Sequence, residues 1–472
     1  MAQAYDLIVI GAGTGGYVAA IRAAQLGLKT AVVERQTALG GTCLLWGCIP
    51  TKALLEHAHA LKIVQHASDW GIGLGGATPA LDITAVHARK DKIVAGLTKG
   101  IEGLFKKHGI AWIKGTARLA APDTVAVTGS DDRQLTAGHI VIATGSQPLS
   151  VPGIAIDHTR IITSDEAIHM KEVPGSIVIL GSGAVGVEFA SIFNRFGSKV
   201  TLIELLPRLV PVEDEAVSAE LARSFKKQGI ATAVGTKVTG AAVTGDRVSI
   251  DAQGADGKPL SLTADYLLVA TGRGPVTEGL GAEQLGIELQ RGYVKVDALY
   301  RTSVEGISAI GDVITFGEGT RHPQLAHVSS AEGILLAERL AGHDVRPINY
   351  DHVPGCTYCD PEIGSVGLTE AAARQRGFDV QVGSFPFRAL GRARMADELD
   401  GFVKIVAEKK YDEILGVHII GPRATELVAE AVLALRTECT VEELIRTIHA
   451  HPTMSEAIGE AAHATHGAAI HM

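Results

Sequence analysis

The chain carries the same local pattern twice: a short apolar segment, a glycine-rich turn and a helix-favouring segment. In the first copy, residues 7–10 (LIVI) lead into residues 11–16 (GAGTGG), which match the spacing GxGxxG. An apolar run without alternation is typical of a strand buried on both faces of a parallel sheet. Glycines at this spacing let the backbone approach a pyrophosphate at a helix N-terminus. The pattern therefore favours a dinucleotide-binding α/β unit over an ordinary glycine-rich turn.

The sequence after the first glycine turn supports this interpretation. It predicts a helix over residues 17–26, ended by Gly27, and a second strand over residues 30–33 that leads to Glu34. An acidic side chain after the second strand accepts hydrogen bonds from a ribose. The complete arrangement of strand, turn, helix, strand and acid is far more specific than GxGxxG alone.

The second copy begins at residues 177–180 (IVIL) and continues with residues 181–186 (GSGAVG). A helical segment follows, and a strand predicted over residues 199–203 leads to Glu204. A carboxylate at this position repels the 2′-phosphate of NADP, so Glu204 favours NAD. The basic Arg208 lies nearby in the sequence and leaves the alternative open.

A further repeat indicates that the two copies arose by duplication. Residues 139–145 (HIVIATG) are similar to residues 266–272 (YLLVATG), and each segment lies downstream of its own glycine motif. The order of the segments predicts one unit inserted within the other. Two dinucleotide sites in one chain indicate two cofactors that exchange electrons.

Two cysteines lie five positions apart within residues 40–52 (GGTCLLWGCIPTK). If the next helix begins at or just before Pro50, its positive end lies beside Cys48 and stabilises a thiolate. The spacing allows a disulfide where the chain turns, and the flanking glycines permit tight turns. We interpret Cys43 and Cys48 as a redox-active pair. The alternative is two unrelated thiols in the core.

Composition limits the remaining classes of function. A chain of 472 residues is too long for one core, so we expect about two to four domains. The net charge of −9 and the lack of basic runs argue against nucleic acid as a partner. No uninterrupted apolar span reaches membrane length, and we expect no signal or transit peptide, because an apolar strand is predicted to be under way by residues 6–10. Five cysteines do not form a structural disulfide framework, so we expect the reducing cytoplasm.

The pattern changes after residue 347. Hairpin-like strands such as residues 402–406 and helical segments such as residues 425–436 predict a separate α+β domain. This region contains residues 449–456 (HAHPTMSE), where a helix is expected to begin near Pro452.

A histidine oriented by a carboxylate is the usual acid/base device near neutral pH, and His451 with Glu456 fits that description. Taken alone, the octapeptide fits an ordinary histidine near a helix start better, because such histidines are common.

Three other features allow more than one interpretation. Asp312 follows a short apolar strand and a glycine, which suits either a contact with a sugar-like hydroxyl chain or a helix N-cap or turn residue. Cys356 and Cys359 form a CxxC without a second pair to complete a zinc site, and we interpret them as structural. Residues 462–471 contain several histidines without ordered ligand spacing, so we expect a flexible terminus and no metal site.

Together these motifs resemble those of the flavoprotein (pyridine nucleotide) disulfide reductases, and among them the dihydrolipoamide dehydrogenases. The resemblance covers essentially the whole chain, and the flanked cysteine motif and residues 449–456 are its most specific parts. It rests on GAGTGG, GGTCLLWGCIPTKALLE, GSGAVGVEFAS, the two ATG segments, AIGDV and HAHPTMSEA. It implies an α/β fold with two Rossmann-like dinucleotide-binding domains and a C-terminal α+β dimerisation domain.

The resemblance also implies a domain order. Residues 1–147 would form the first part of an FAD-binding domain, residues 148–275 an NAD-binding domain, residues 276–346 a central part completing the FAD domain, and residues 347–472 the interface domain.

The resemblance assigns roles at matching positions. Cys43 would meet the substrate, Cys48 would face the flavin, and His451 with Glu456 would act from the partner subunit of a homodimer. The FAD contacts would be Gly11, Gly13, Gly16, Glu34, Thr42, Lys52, Ala117, Thr144, Gly145, Ser146, Asp312, Leu325, Ala326 and His327. The NAD contacts would be Gly181, Gly183, Ala184, Val185, Gly186, Glu188, Glu204, Val238 and Gly272. Lys52 would pair with Glu188.

The implied reaction is the oxidation of protein-bound dihydrolipoamide to lipoamide through a Cys43–Cys48 disulfide and non-covalent FAD, with NAD⁺ as hydride acceptor. The lipoyl carrier would be a domain of the acyltransferase core of a 2-oxoacid dehydrogenase complex or a glycine-cleavage carrier, supplied by another polypeptide. The alternatives are a glutathione-, mercuric- or transhydrogenase-like reductase, or a non-catalytic flavin-binding scaffold. Two departures from the family pattern stand out: Val276, where many members carry Asn, and the Cys356/Cys359 pair.

Overall fold

The computed structural model describes residues 3–129, 132–317 and 322–472. Its β-strands, in chain order, are β1 (Gln3–Ile10), β2 (Thr30–Glu34), β3 (Ala111–Lys114), β4 (Thr116–Ala121), β5 (Thr124–Thr128), β6 (Arg133–Ile142), β7 (Ser146–Pro148), β8 (Ile161–Ile162), β9 (Ser176–Leu180), β10 (Lys199–Ile203), β11 (Ala231–Ala233), β12 (Lys237–Thr244), β13 (Arg247–Gln253), β14 (Pro259–Ala264), β15 (Tyr266–Val269), β16 (Arg273–Pro275), β17 (Leu289–Gln290), β18 (Tyr293–Lys295), β19 (Ile307–Ala309), β20 (Ile314–Thr315), β21 (Gly355–Thr357), β22 (Ile363–Gly367), β23 (Val380–Pro386), β24 (Phe402–Glu408) and β25 (Ile414–Ile420).

The α-helices, in chain order, are α1 (Thr14–Gln25), α2 (Gly41–Leu45), α3 (Cys48–Gln65), α4 (Ile83–Lys107), α5 (Ser164–Ala167), α6 (Ala184–Phe196), α7 (Glu215–Lys227), α8 (Ala326–Leu340), α9 (Glu370–Gln375), α10 (Gly391–Ala396), α11 (Ala424–Arg436), α12 (Val441–Arg446) and α13 (Glu456–Thr465). Short 3-10 turns span Ala67–Trp70, Glu283–Leu285, Gly311–Val313, Tyr350–His352 and Phe387–Ala389. None of the helices in the described ranges is both long and apolar enough to cross a bilayer.

The described residues fall into two compact units. The first draws on Met1–Ala53, Thr84–Leu149 and Gly272–Ile348, and the second on Leu54–Ile83, Ser150–Thr271 and Asn349–Met472. Of the five breaks, those after residues 149 and 348 lie two residues past the predicted boundaries after residues 147 and 346, and the break after residue 271 lies four residues before the predicted boundary after residue 275. The breaks after residues 53 and 83 match no predicted boundary. The second unit holds both the predicted NAD-binding and interface segments, so their separation into two domains stays a prediction.

The first unit is built on a parallel sheet in the order β3-β2-β1-β6-β19. The first half of β6 also pairs with the antiparallel strands β5 and β4, so this long strand serves two layers. Every residue of β2 is buried, as expected for a strand covered on both faces. Helix α8 lies close against α1, because Gly333 has no side chain: a Cβ there would lie 2.6 Å from the Gly15 carbonyl oxygen.

The second unit repeats this sheet with the parallel order β11-β10-β9-β15-β8. Strands β9, β10 and β15 occupy the places that β1, β2 and β6 hold in the first unit. The antiparallel sheet β12-β13-β14 is a separate layer of the second unit. The predicted duplication and the predicted fold class are therefore confirmed.

An antiparallel sheet in the order β21-β22-β25-β24-β23 forms the core of residues 349–472. Helix α13 packs against it at Gly383, where a Cβ would lie 2.2 Å from the Ala461 carbonyl oxygen. This contact fixes α13, which begins at Glu456, on the sheet. The strands and helices predicted for this region therefore form an α+β layer.

Two local predictions in this layer are wrong. Helix α13 begins at Glu456 rather than near Pro452, because the Thr453 backbone N–H donates to the Glu456 carboxylate at 2.8 Å and closes a turn ahead of the helix. The segment expected to be a flexible terminus instead starts inside α13, where Ala462 is fully buried. Its later part is held as well, since His471 Nδ1 lies 2.8 Å from the Glu460 carboxylate.

Candidate active site

The first glycine turn joins β1 to α1 with very little space around its backbone. Gly11 has φ of +102°, and a Cβ there would lie 2.3 Å from the Ala143 carbonyl oxygen. A Cβ at Gly16 would lie 1.9 Å from the Gly11 carbonyl oxygen. The turn can therefore close only with glycine at both positions, which is the reason that this spacing recurs at dinucleotide sites.

Gly13 differs from the other two glycines because nothing fills the space beside it. It begins α1 with φ −68° and ψ −177°, no side chain caps the helix, and a Cβ would meet no atom within 4 Å. The first-turn N–H groups of a helix have no partner within the helix and attract anions. Glu34 Oε2 accepts a hydrogen bond from Ala12 N at 2.7 Å and so lies at the same turn. These residues fit the pyrophosphate and ribose of a dinucleotide such as FAD.

The second glycine turn reproduces the first closely. Gly181 has φ of +102°, and a Cβ there would lie 2.4 Å from the Ala270 carbonyl oxygen. Gly183 begins α6 with φ −68° and ψ −177°, again without a side-chain cap. The Glu204 carboxylate accepts hydrogen bonds from Ser182 N and Ser182 Oγ, each at 2.8 Å. The second turn thus fits a second dinucleotide by the same physical argument.

Arg208, the residue that weakened the preference for NAD, is engaged elsewhere. Its guanidinium donates to Glu215 Oε1 at 2.7 Å and to the Pro211 carbonyl oxygen at 3.0 Å. These hydrogen bonds do not direct the guanidinium toward a 2′-phosphate. The negative charge of Glu204, which lies at the second glycine turn, favours NAD.

The cysteine motif packs directly on the first glycine turn. Gly41 has φ of +57°, and a Cβ there would lie 2.5 Å from the Cα atom of Gly13. The Gly40 backbone N–H also donates to the Ala12 carbonyl oxygen at 2.9 Å. The segment that carries both cysteines is thus fixed against the loop that would hold the pyrophosphate.

Cys43 and Cys48 lie in hydrogen-bonding contact, and both are half-buried. The pKa of Cys43 is raised, first by its hydrogen bond with Cys48 and then by burial, against the positive charge of Lys52. Helix α3 begins at Cys48, as the sequence predicted, so the positive end of the helix favours negative charge on that sulfur. Because the two thiols contact each other, the interpretation as two unrelated core thiols is wrong.

Asp312 is brought to the same region of the first unit. It raises the pKa of Cys43 through its negative charge, and it accepts a hydrogen bond from Ser146 Oγ at 2.6 Å. Arg273 donates to Ser146 Oγ at 2.8 Å and to the Ser146 carbonyl oxygen at 2.7 Å. Asp312 does not cap a helix, but it lies within the turn Gly311–Val313, so the interpretation as a turn residue is confirmed and the contact with a hydroxyl chain stays a prediction.

Val276 joins this neighbourhood through its backbone alone. Thr144 Oγ1 donates to the Val276 carbonyl oxygen at 2.6 Å, and the Val276 N–H donates to the Gly145 carbonyl oxygen at 3.0 Å. Neither bond depends on the side chain at position 276. The departure from the family pattern at this position therefore leaves both contacts of the Thr144–Gly145 turn intact.

Sequence reasoning missed Glu332, which lies fully buried in α8. Its carboxylate accepts hydrogen bonds from the Gly311 backbone N–H at 2.7 Å and from His322 Nε2 at 2.8 Å. His322 Nδ1 in turn accepts from the Gln324 N–H at 3.2 Å, so the ring proton lies on Nε2. Glu332 therefore holds the turn that carries Asp312. The hydrogen-bond partners of Glu332 lie 10 and 21 residues away in the sequence, and no local motif predicts these contacts.

In the second unit, His451 and Glu456 form the expected pair. His451 Nδ1 lies 2.8 Å from Glu456 Oε1, and the imidazole is 78% exposed. The carboxylate can only accept, so Nδ1 carries the proton and Nε2 is left as the basic nitrogen. The pKa of Glu456 is lowered: burial raises it, but the hydrogen bonds from His451 and Thr453 outweigh that effect. The pair has the geometry of an oriented general base.

The remaining predicted cofactor contacts occupy varied positions. Thr42 is in α2, Lys52 in α3, Ala117 in β4 and Val238 in β12, while Leu325, Ala326 and His327 form the uncapped start of α8. Ala184 and Val185 are exposed at the start of α6, and Gly272 has φ of +127°. Glu188 is buried in α6, where Oε1 accepts from the Tyr358 N–H at 2.9 Å. The expected pairing of Lys52 with Glu188 stays a prediction.

The second cysteine pair has a different environment. Cys359 is buried, and burial raises its pKa, which makes a thiolate unfavourable. The Cys359 thiol contacts the Pro361 carbonyl oxygen at 3.2 Å, and the Cys356 thiol contacts the Thr425 carbonyl oxygen at 3.9 Å. These contacts suit structural thiols. Across the described ranges, no three His, Cys, Asp or Glu side chains converge as metal ligands would.

Comparison with known proteins places these features in context. A family model described as pyridine nucleotide-disulphide oxidoreductase matches residues 5–333, and one described as the dimerisation domain of that family matches residues 353–462. The chain is 44% identical to a dihydrolipoyl dehydrogenase of Bacillus subtilis, with 100% of each chain covered. It is 43% identical to a mitochondrial dihydrolipoyl dehydrogenase of Pisum sativum, with 99% of this chain and 92% of the pea protein covered. The crystal structure of LpdA from Mycobacterium tuberculosis aligns with a TM-score of 0.87 at 27% identity, covering 97% of this chain and 98% of that one.

Proposed function

The chain belongs to the pyridine nucleotide-disulphide oxidoreductase family, and from that premise we propose that it is a dihydrolipoamide dehydrogenase. It oxidises dihydrolipoamide to lipoamide and reduces NAD⁺, with FAD and the Cys43–Cys48 pair between them. The observation that carries this proposal is the packing of the dithiol segment on the first glycine turn, where a Cβ at Gly41 would lie 2.5 Å from Gly13.

The sulfur chemistry follows from the environments of the two cysteines. In the oxidised enzyme, a lipoyl thiolate attacks Cys43 Sγ, the Cys43–Cys48 bond breaks, and Cys48 leaves as a thiolate favoured by the start of α3. The second lipoyl thiolate then attacks the lipoyl sulfur of the mixed disulfide, so lipoamide closes its ring and Cys43 is released. Two electrons enter the dithiol. FAD, when bound, carries these two electrons to NAD⁺ as a hydride.

His451 supplies the base for this exchange. Thiolates, not thiols, attack disulfides, so each lipoyl thiol must lose a proton. Glu456 holds the proton on His451 Nδ1 and leaves Nε2 to accept the one from the substrate. We propose that His451 and Glu456 act on the dithiol of the partner subunit of a homodimer, and the match of residues 353–462 to the dimerisation domain supports this.

The dinucleotides divide between the two glycine turns. We assign FAD to Gly11, Gly13, Gly16 and Glu34, because the dithiol packs there, and NAD to Gly181, Gly183, Gly186 and Glu204. The other cofactor contacts implied by the sequence belong to the same proposal, with Ser146 and Asp312 supported by their mutual hydrogen bond.

The physiological substrate is proposed to be the lipoyl domain of another polypeptide. Either the acyltransferase core of a 2-oxoacid dehydrogenase complex or a glycine-cleavage carrier presents the required dithiol on a mobile arm. A reducing cytoplasm is the proposed compartment.

A substrate panel tests the proposal. The purified holoenzyme is supplied with dihydrolipoamide and NAD⁺ or NADP⁺, and in reverse with NADH or NADPH and lipoamide, glutathione disulfide or mercuric ion. We expect turnover with dihydrolipoamide and NAD⁺, and in reverse with NADH and lipoamide, at least about a hundredfold above every other pair. Faster reduction of glutathione disulfide or mercuric ion by NADPH would instead support a sister reductase.

A further inference from the structure

A second histidine–carboxylate pair lies two residues from His451. His449 Nε2 is 2.8 Å from Glu430 Oε1, and the His449 side chain is only 10% exposed. Glu430 belongs to α11, whereas His451 takes its own carboxylate from α13. The two histidines of one short segment are thus held by two different helices.

His449 also contacts the helix that carries Glu456. A Cβ at Gly459 would lie 3.0 Å from His449 Nδ1 and 3.3 Å from Cε1, so the imidazole lies directly against the backbone of α13 there. Gly459 is three residues after Glu456 and shares its side of the helix. The segment is therefore fixed to α13 at two points, by His449 against Gly459 and by His451 on Glu456.

The contact with Glu430 favours the protonated form of His449. A carboxylate 2.8 Å from Nε2 stabilises positive charge on the imidazole, and the side chain is only 10% exposed. The pKa of His449 is raised, first by the Glu430 hydrogen bond, against burial, and further by the negative charge of Glu456. The charged groups that face the ring are thus Glu430 from α11 and Glu456 from α13.

We infer that His449, held as a cation by Glu430, is a positioning residue for the His451–Glu456 pair. It fixes the path of Ala450 and His451 over α13, and its positive charge opposes protonation of the neighbouring pair. It does not touch the substrate sulfurs. The inference rests on the proposed function, since it concerns the base of that reaction.

Three substitutions separate position from charge. His449→Gln keeps a hydrogen-bond donor but removes the cation, and we expect kcat for dihydrolipoamide to fall about tenfold to a hundredfold. Loss of the cation makes the pair easier to protonate, so the acid limb of the pH profile of kcat/KM moves up by about 0.5 to 1 pH unit. His449→Lys keeps the charge and is expected to lose rate while the acid limb stays in place. Glu430→Gln removes the other half of the pair and reproduces the loss of rate.

Gly459→Ala tests the position without altering any charge. Its methyl group displaces the His449 ring. At the same time, alanine in a helix interior is more stabilising than glycine. We therefore expect lower turnover together with an unchanged or higher Tm, a combination that a merely structural role does not produce. His158→Gln is the matched control, because His158 makes the same 2.8 Å contact with Glu166 on an exposed turn. It is expected to leave rate and pH profile at wild-type values.

The outcomes separate this inference from the proposed function. NADH-dependent ferricyanide reduction bypasses the His451–Glu456 pair and is expected to be unchanged in every variant, which also verifies folding and FAD content. If the wild-type enzyme does not oxidise dihydrolipoamide, the proposed function fails. If the wild type does so and His449→Gln matches it in kcat and in its acid limb, the positioning role of His449 is refuted.

Discussion

Two matched substitutions, Gly11→Ala and Gly181→Ala, should separate the two dinucleotide sites. An alanine Cβ would lie 2.3 Å from the Ala143 carbonyl oxygen in the first case and 2.4 Å from the Ala270 carbonyl oxygen in the second. Each contact must open by about 1 Å, at an overpacking cost of about 1–3 kcal/mol. Both glycines also have φ of +102°, where alanine adds about 1–3 kcal/mol of backbone strain.

The two variants should fail in different assays. Together these two costs destabilise the conformation that binds the dinucleotide by about 2–6 kcal/mol. The affinity of each variant for its dinucleotide therefore falls by about thirtyfold or more. Gly11→Ala is therefore expected to elute from gel filtration without FAD. Gly181→Ala is expected to stay yellow when oxidised and to develop a long-wavelength thiolate-to-flavin band with dihydrolipoamide, but to reduce NAD⁺ poorly.

A control variant tests the reason for these effects. Gly13→Ala places its methyl group where no protein atom lies within 4 Å, at φ and ψ that alanine adopts freely. Its Tm without cofactor should match the wild type, while FAD affinity falls because the methyl group occupies the space beside the helix start. Retention of FAD by Gly11→Ala with its loss from Gly181→Ala would show that the two sites are assigned the wrong way round.

Four further results are expected. Glu204→Arg should move the ratio of kcat/KM for NAD⁺ over NADP⁺ toward NADP⁺ by about tenfold or more, since it replaces a repelling charge with an attracting one. Glu332→Gln should weaken FAD retention at unchanged far-UV circular dichroism, because the Gly311 N–H and His322 lose an anionic acceptor. Lys404→Met should cost about 3–5 kcal/mol in chemical denaturation, because it leaves Asp214, 2% exposed, without its 2.8 Å partner. Lys404 also lowers the pKa of Glu370, so the stability from that pair is present above the ordinary pKa of glutamate and is lost as pH falls below it.

Much of the site could be predicted because its signals are local in the sequence. A position with φ of +102° needs glycine whatever surrounds it, so the spacing of the glycines alone predicts the turns at Gly11 and Gly181. The start of α3 at Cys48 also follows from neighbouring residues. The two similar sheets could be predicted for the same reason, because each copy of the glycine turn needs the same arrangement of strands around it.

The rest depends on contacts between distant segments. Glu332 is an ordinary helix residue in the sequence and gains its role only when Gly311 is folded against it. The packing of Gly41 on Gly13 and of His449 on Gly459 requires the backbone path, which residue type does not specify. The predicted start of α13 is wrong for a different and local reason: the side chain of its first residue, Glu456, closes the preceding turn.

The most direct test of the central claim is an anaerobic titration of the oxidised holoenzyme with dihydrolipoamide, recorded from the near ultraviolet to the red and followed by addition of NAD⁺. Transfer of two electrons into the Cys43–Cys48 pair beside the flavin predicts a long-wavelength thiolate-to-flavin band. NAD⁺ should then abolish the band and yield about one NADH per subunit. A flavin that is reduced by NADH but unchanged by dihydrolipoamide would leave the two dinucleotide sites standing and contradict the proposed substrate.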